Sequence, residues 1–92
     1  MGDMMFFITV GRWRKKPTKE MVDQASKLLE QMGKEGIKRV GNYWTLGRYD
    51  IVAIFEGKDE KALMKAAIRF GDMFSLETLV AVPREEAVKL VE

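Results

Sequence analysis

A chain of 92 residues makes a single domain, 1–92, and folding at this size buries only roughly 60–65% of the surface the unfolded chain exposes, so a partner surface would add to its stability. Hydrophobic residues at 47% and charged residues at 33% exclude a disordered tail as the main content, and a net charge of +2 is too mild to mark a nucleic-acid binder by itself. Cysteine and histidine are both absent, which excludes disulfides, thiolate nucleophiles, Cys or His zinc sites, histidine-ligated haem and the Ser-His-Asp triad.

Carboxylates, lysines, tyrosines and hydroxyls remain for acid-base work. Glu20, Asp23, Glu30, Glu35, Asp59 and Glu60 read as helix-face or capping residues and give no metal-ligand spacing. No metal and no cofactor is therefore expected. No apolar run approaches the roughly 20 residues of a membrane helix, and no signal peptide is visible, so the expected setting is the cytoplasm without a membrane partner. Scarce amides, only Gln24, Gln31 and Asn42, are compatible with a thermophilic source.

Along the chain, Met4 to Val10 is an apolar run rich in aromatic and β-branched residues that reads as the first strand, closed by Gly11. Arg12-Trp13-Arg14-Lys15-Lys16-Pro17 reads as a basic loop, and Thr18 as the N-cap of a helix carrying Met21, Ala25, Leu28 and Met32 on one stripe. That helix is expected to run to about Gln31 and to leave through Gly33 and Gly36. Ile37 to Leu46 reads as strand two, Gly47-Arg48 as a turn, and Tyr49 to Glu56 as strand three. Asp59 caps a second helix whose Ala62, Leu63, Ala66, Ala67 and Phe70 face the sheet. Ser75 to Val82 then forms strand four, and Pro83 opens a short C-terminal helix.

The order βαββαβ predicts an α+β, ferredoxin-like fold: an antiparallel four-stranded sheet with two helices on one face and a short C-terminal helix. The strands are apolar on both faces, whereas the helices cover one, so a second sheet is expected on the other. A homodimer or higher homo-oligomer supplies it, giving a dimeric α+β barrel.

The string Tyr43-Trp44-Thr45-Leu46-Gly47-Arg48-Tyr49-Asp50, followed by an apolar strand, together with Glu77-Thr78-Leu79, resembles the GYD-domain family of small ferredoxin-like proteins. The namesake Gly-x-Tyr-Asp falls on Gly47, Tyr49 and Asp50. The resemblance covers nearly the whole chain and implies a fold without an established reaction. A looser similarity links the chain to the effector domain of Lrp/AsnC regulators, which binds amino acids between subunits; here Leu46 separates Thr45 from Gly47 and no helix-turn-helix is present, so the fold transfers better than the ligand.

Trp44, Thr45, Tyr49 and Asp50 are the candidate ligand-binding residues, as the polar lining of a small-molecule pocket near the hairpin and the sheet-to-sheet interface. Two roles are open to Asp50: accepting backbone N–H bonds that fix the turn, or facing a pocket to bind an amine or act as a general base. Tyr49 and Trp44 either pack across the hairpin or rim a ligand. The methionines Met4, Met5, Met21, Met32, Met64 and Met73 read as gap fillers rather than an adaptable pocket. The basic cluster Arg12 to Lys16 could attract a phosphate, an acidic metabolite or RNA, but a solvated loop is the simpler reading. Aligned on Gly47, an RNA-recognition motif would need a base at Leu46 and a stacking aromatic at Arg48, which disfavours nucleic acid. The expected function is a homo-oligomeric small-molecule-binding module. A cofactor-independent enzyme of the dimeric α+β barrel type, moving a proton with Tyr49 or Asp50, and a purely structural assembly domain are the alternatives, and the absence of a recognisable catalytic set leans the reading away from an enzyme.

Overall fold

Strands β1 (Met5–Trp13) and β3 (Ile51–Gly57) form the centre of an antiparallel sheet in the order β2-β3-β1-β4, with β2 (Lys38–Trp44) and β4 (Phe74–Ala81) at its edges. A computed structural model describes residues 4–91. Helices α1 (Lys19–Lys34) and α2 (Glu60–Phe70) carry the two crossovers, and α3 (Arg84–Ala87) with a following 3-10 turn, Val88–Leu90, ends the described chain. This is the expected βαββαβ plan. No described helix is long and apolar enough to cross a membrane.

Strand register separates the two faces. Met5, Phe7, Thr9, Gly11 and Trp13 of β1 share the helix-facing side with Ile51, Ala53, Phe55 and Gly57 of β3, because paired residues of an antiparallel sheet lie on one face. Phe6, Ile8, Val10, Val52 and Ile54 lie on the opposite, open face, each only partly covered by its neighbours in the sheet. The core cluster joins Phe7, Ala53 and Phe55 of the sheet, Met32 of α1, Ile37 in the loop before β2, and Leu63 and Ala66 of α2.

Both helix starts follow from their caps. The Thr18 hydroxyl accepts the Met21 amide at 3.2 Å and the Asp59 carboxylate accepts the Ala62 amide at 3.1 Å, each satisfying a donor that the first turn leaves unpaired. Helix α1 runs through Gly33 to Lys34, three residues beyond the expected Gln31, and the chain turns out at Gly36 (φ +90°).

Two other boundaries differ from expectation for a physical reason. Strand β1 continues through Gly11, because β4 pairs with it as far as Trp13↔Phe74. A Cβ on Gly11 would lie 2.5 Å from Leu76 Cδ2 and 3.1 Å from the Ser75 carbonyl oxygen, so this glycine marks close packing and not a strand end. The expected basic loop is thereby split. Arg12 and Trp13 are strand residues, and Arg14 Nε donates to the Gly71 and Phe74 carbonyls at 2.7 and 3.0 Å. The β2–β3 connection is also wider than a two-residue turn. It spans residues 45–50, with Gly47 at φ +100°, a conformation that glycine adopts without steric cost.

The helices are tied to each other by charge. The Arg69 guanidinium of α2 donates two parallel bonds to Glu35 at the end of α1, at 2.9 and 3.0 Å, and Gln31 adds a third at 3.0 Å. Chiefly through the Arg69 bonds, then that of Gln31, the Glu35 carboxyl is lowered from 4.5 to about 2. Because the folded value lies below the unfolded one, the bridge contributes fully above pH 4.5 and is lost as pH falls toward 2. Carboxyl-detected NMR should give a Glu35 midpoint near 2, and Arg69→Gln should move it back toward 4.5.

Candidate functional site

Small side chains face one another where the helices cross the sheet. Ala53 of β3 lies below Ala25 and Ser26 of α1 and Ala66 and Ala67 of α2, and these residues border a cavity of about 220 Å³. Its remaining wall is aliphatic and aromatic, including Leu29, Ile51, Phe70 and Phe74. The layer between sheet and helices is thus packed around Phe7 and Ile37 at one end and hollow toward the hairpin at the other.

Both tryptophans of the chain wall the hollow end. Trp13 meets Trp44 edge-on with ring centroids 5.5 Å apart and tilts over Phe74 at 4.3 Å, separations at which aromatic pairs attract beyond simple area burial. Trp44 remains 63% exposed, and Arg39 and Asn42 on the same strand are exposed too, so the cavity is open to solvent.

A row of polar side chains crosses the floor. Asn42 pairs with Ala53, Ala53 with Thr9, and Thr9 with Thr78, so the four lie side by side across the whole sheet on its helix-facing side. Thr9, only 6% exposed, shares a hydrogen bond of 2.9 Å with the Thr78 hydroxyl. Two hydroxyls joined by one bond keep one O–H uncommitted.

Of the four residues expected to form a pocket, the structure brings Trp44 alone to this cavity. The Thr45 hydroxyl donates to the Tyr49 carbonyl at 2.7 Å, and its amide donates to the Asp50 carbonyl at 2.8 Å. Asp50 Oδ2 accepts the Trp13 amide at 2.9 Å, and the Asp50 amide donates to the Gly11 carbonyl at 2.8 Å. Asp50 therefore extends the β1–β3 ladder with its side chain standing in for a backbone acceptor. Tyr49 lies beside a shallow depression with Val10, Arg12, Arg48, Ser75 and Glu77, its ring 5.7 Å from the Arg48 guanidinium carbon. Arg12 Nε donates to the Arg48 carbonyl at 2.7 Å and clamps the hairpin tip.

Arg39, Asn42, Thr9 and Thr78 are polar lining residues to which the sequence reading gave no binding role. One signal was present: alanines recur on both helix stripes and on the central strand, where larger side chains would fill the layer.

A family model described as the GYD domain matches residues 7–91. The chain belongs to the GYD domain family. Among solved structures, the GYD domain is similar to a dabb-family protein with a ferredoxin-like fold from Mesorhizobium loti, at TM-score 0.60 and 14% identity over 87% of this chain and 96% of that one. It is also similar to a dimeric ferredoxin-like protein of unknown function from Thermobifida fusca, at TM-score 0.54 and 15% identity over 88% and 93%. MtbAldR matches at TM-score 0.58 and 7% identity over 87% of this chain. This chain spans about half of MtbAldR, 52% of its length. At these identities the likeness shows a shared ferredoxin-like fold. Among curated proteins no sequence relative matches the chain.

Proposed function

We propose that this GYD domain is a homo-oligomeric small-molecule-binding module whose ligand enters the cavity over Ala53. The cavity between sheet and helices carries the reading, because it is walled by aromatics, floored by a polar row and open to solvent, which is the usual composition of a ligand site. Trp44 contacts the ligand. Thr45 and Asp50 hold the hairpin that presents it, and Tyr49 belongs to the opposite face. An Asp50 carboxylate already engaged by the Trp13 amide counts against its use as a general base for proton transfer.

Assembly rests on the open face. Phe6, Ile8, Val52, Ile54 and Leu79 form an apolar sheet surface on the face opposite the core that α1 and α2 cover, and a second copy covers such a face by its own self-complementary surface. The Thermobifida fusca neighbour is described as dimeric.

Both parts have a direct test. Because both tryptophans line the cavity, titration with toluene should change tryptophan emission in the wild type and leave it unchanged in Ala53→Leu, whose added methyl groups occupy the hollow. Unchanged emission in both proteins would remove the cavity from the function. In sedimentation, the wild type should run as a dimer or larger and Ile54→Glu as a folded monomer; a monomeric wild type would refute the assembly.

A further inference from the structure

We propose that the cavity takes a monocyclic aromatic acid carrying an oxygen substituent, its ring over Ala53, its carboxylate toward Arg39 and Asn42, and its oxygen toward the Thr9–Thr78 hydroxyl pair. This rests on the reading of the cavity as a binding site and names what that site selects.

Size sets the first limit. A dry cavity of about 150 Å³ holds benzene, and drug-sized ligands take roughly 300–1,000 Å³. At about 220 Å³ this one holds a single ring with short substituents, which excludes a dinucleotide, a flavin or a haem. Aromatic walls from Trp13, Trp44, Phe70 and Phe74 favour a ring over an aliphatic chain of equal volume.

Charge sets the second. Among the described residues Arg39 is the one charged residue lining the cavity, and no described carboxylate lines it. Among the described residues no ion pair or side-chain hydrogen bond engages Arg39, in contrast to Arg12, Arg14 and Arg69, which are all committed to protein oxygens. A guanidinium beside an apolar hollow without a partner selects an anion, and its planar fork suits a carboxylate. Asn42 adds an amide donor on the same strand face.

Spacing sets the third. Asn42 and Thr9 flank Ala53 in the cross-sheet row, two strand spacings apart and so separated by roughly 10 Å at the backbone. Side chains reaching inward from both positions shorten that span to about the length of a ring bearing groups at opposite ends. The uncommitted O–H of the threonine pair then meets an oxygen that can accept it.

Calorimetric titration with para-hydroxybenzoate, benzoate, para-cresol and toluene separates these elements one group at a time. Para-hydroxybenzoate should bind tightest. Arg39→Gln should weaken both acids about tenfold and leave para-cresol unchanged. Thr9→Val should weaken para-hydroxybenzoate and para-cresol several-fold and leave benzoate and toluene unchanged; Thr78→Val reads the same contact if Thr9→Val does not fold. Acids that bind no more tightly than para-cresol, or an Arg39→Gln effect equal on acids and neutral rings, would overturn the ligand class while the cavity stands as a site. If none of the four rings binds, the cavity reading fails together with the ligand class.

Discussion

Phe7→Ala should lower unfolding stability by about 4 kcal/mol, the cost of deleting a buried aromatic ring and leaving a cavity behind. Phe7 is 1% exposed and is the largest fully buried side chain among the described residues. Gly57 packs beside it and leaves room chiefly for Leu63: a Cβ on that glycine would stand 3.2 Å from Leu63 Cδ2, whereas Phe7 Cε2 at 3.7 Å is at ordinary contact distance. Small domains carry only about 5–15 kcal/mol in total, so the substitution consumes a large share and should lower the melting temperature by roughly 20 °C. Urea unfolding should show an earlier midpoint at unchanged slope. Phe6, one residue earlier, supplies the internal control. It faces the open side of the sheet and is already partly exposed, so Phe6→Ala should leave the packed layer intact and report on assembly instead. Equal losses from the two substitutions in the monomeric Ile54→Glu background would mean that the two faces are equally buried and that the assignment of the core to the helix side is wrong.

That those neighbours lie on opposite faces was legible in the sequence because strand periodicity is rigid and a residue and its successor cannot share a face; which of the two the helices cover was not, since the strand is apolar on both sides. The caps at Thr18 and Asp59 were legible for a similar reason, since a hydroxyl or carboxylate before an apolar helical stripe has few better uses than to accept the amides of the first turn. Gly11 shows where such reading stops. In one dimension a glycine after an apolar run marks an end; only the pairing of β4 opposite it reveals that Leu76 and Ser75 crowd the position. The cavity is illegible for a deeper reason. Ala25, Ala53, Ala66 and Ala67 are each ordinary, and the hollow exists because three separate elements bring them to one place. The polar row is likewise a product of register, with Asn42, Thr9 and Thr78 far apart in the chain and brought onto one line across the sheet, Ala53 standing between Asn42 and Thr9. The hairpin drew attention through its composition, and its polar groups turn out to be engaged with the backbone.

Asp50→Ala should cost about 2 kcal/mol, the value of a hydrogen bond from a backbone donor to a charged acceptor when the donor is left without a substitute. The Trp13 amide is that donor, partly buried and bonded to Oδ2 at 2.9 Å. The backbone bonds from the Asp50 amide to Gly11 and from Thr45 to the Asp50 carbonyl survive the substitution, so the loss concentrates on the end of β1. Asp50→Asn keeps a neutral acceptor in the same place and should recover roughly half of the loss, since charge-assisted bonds are about twice as strong as neutral ones. Hydrogen exchange should show the Trp13 amide opening faster in Asp50→Ala, with Asp50→Asn intermediate. The consequence for function follows through packing. Trp13 rests against Trp44 and Phe74, and all three wall the hollow end of the cavity, so freeing the strand end loosens the wall that a ring would lie against. Asp50 is in this sense a positioning residue: Asp50→Ala should weaken toluene and para-hydroxybenzoate by the same factor, unlike Arg39→Gln, which discriminates between them. A loss confined to the acid or to a single probe would place the carboxylate in contact with the ligand and refute its role as a strand tie.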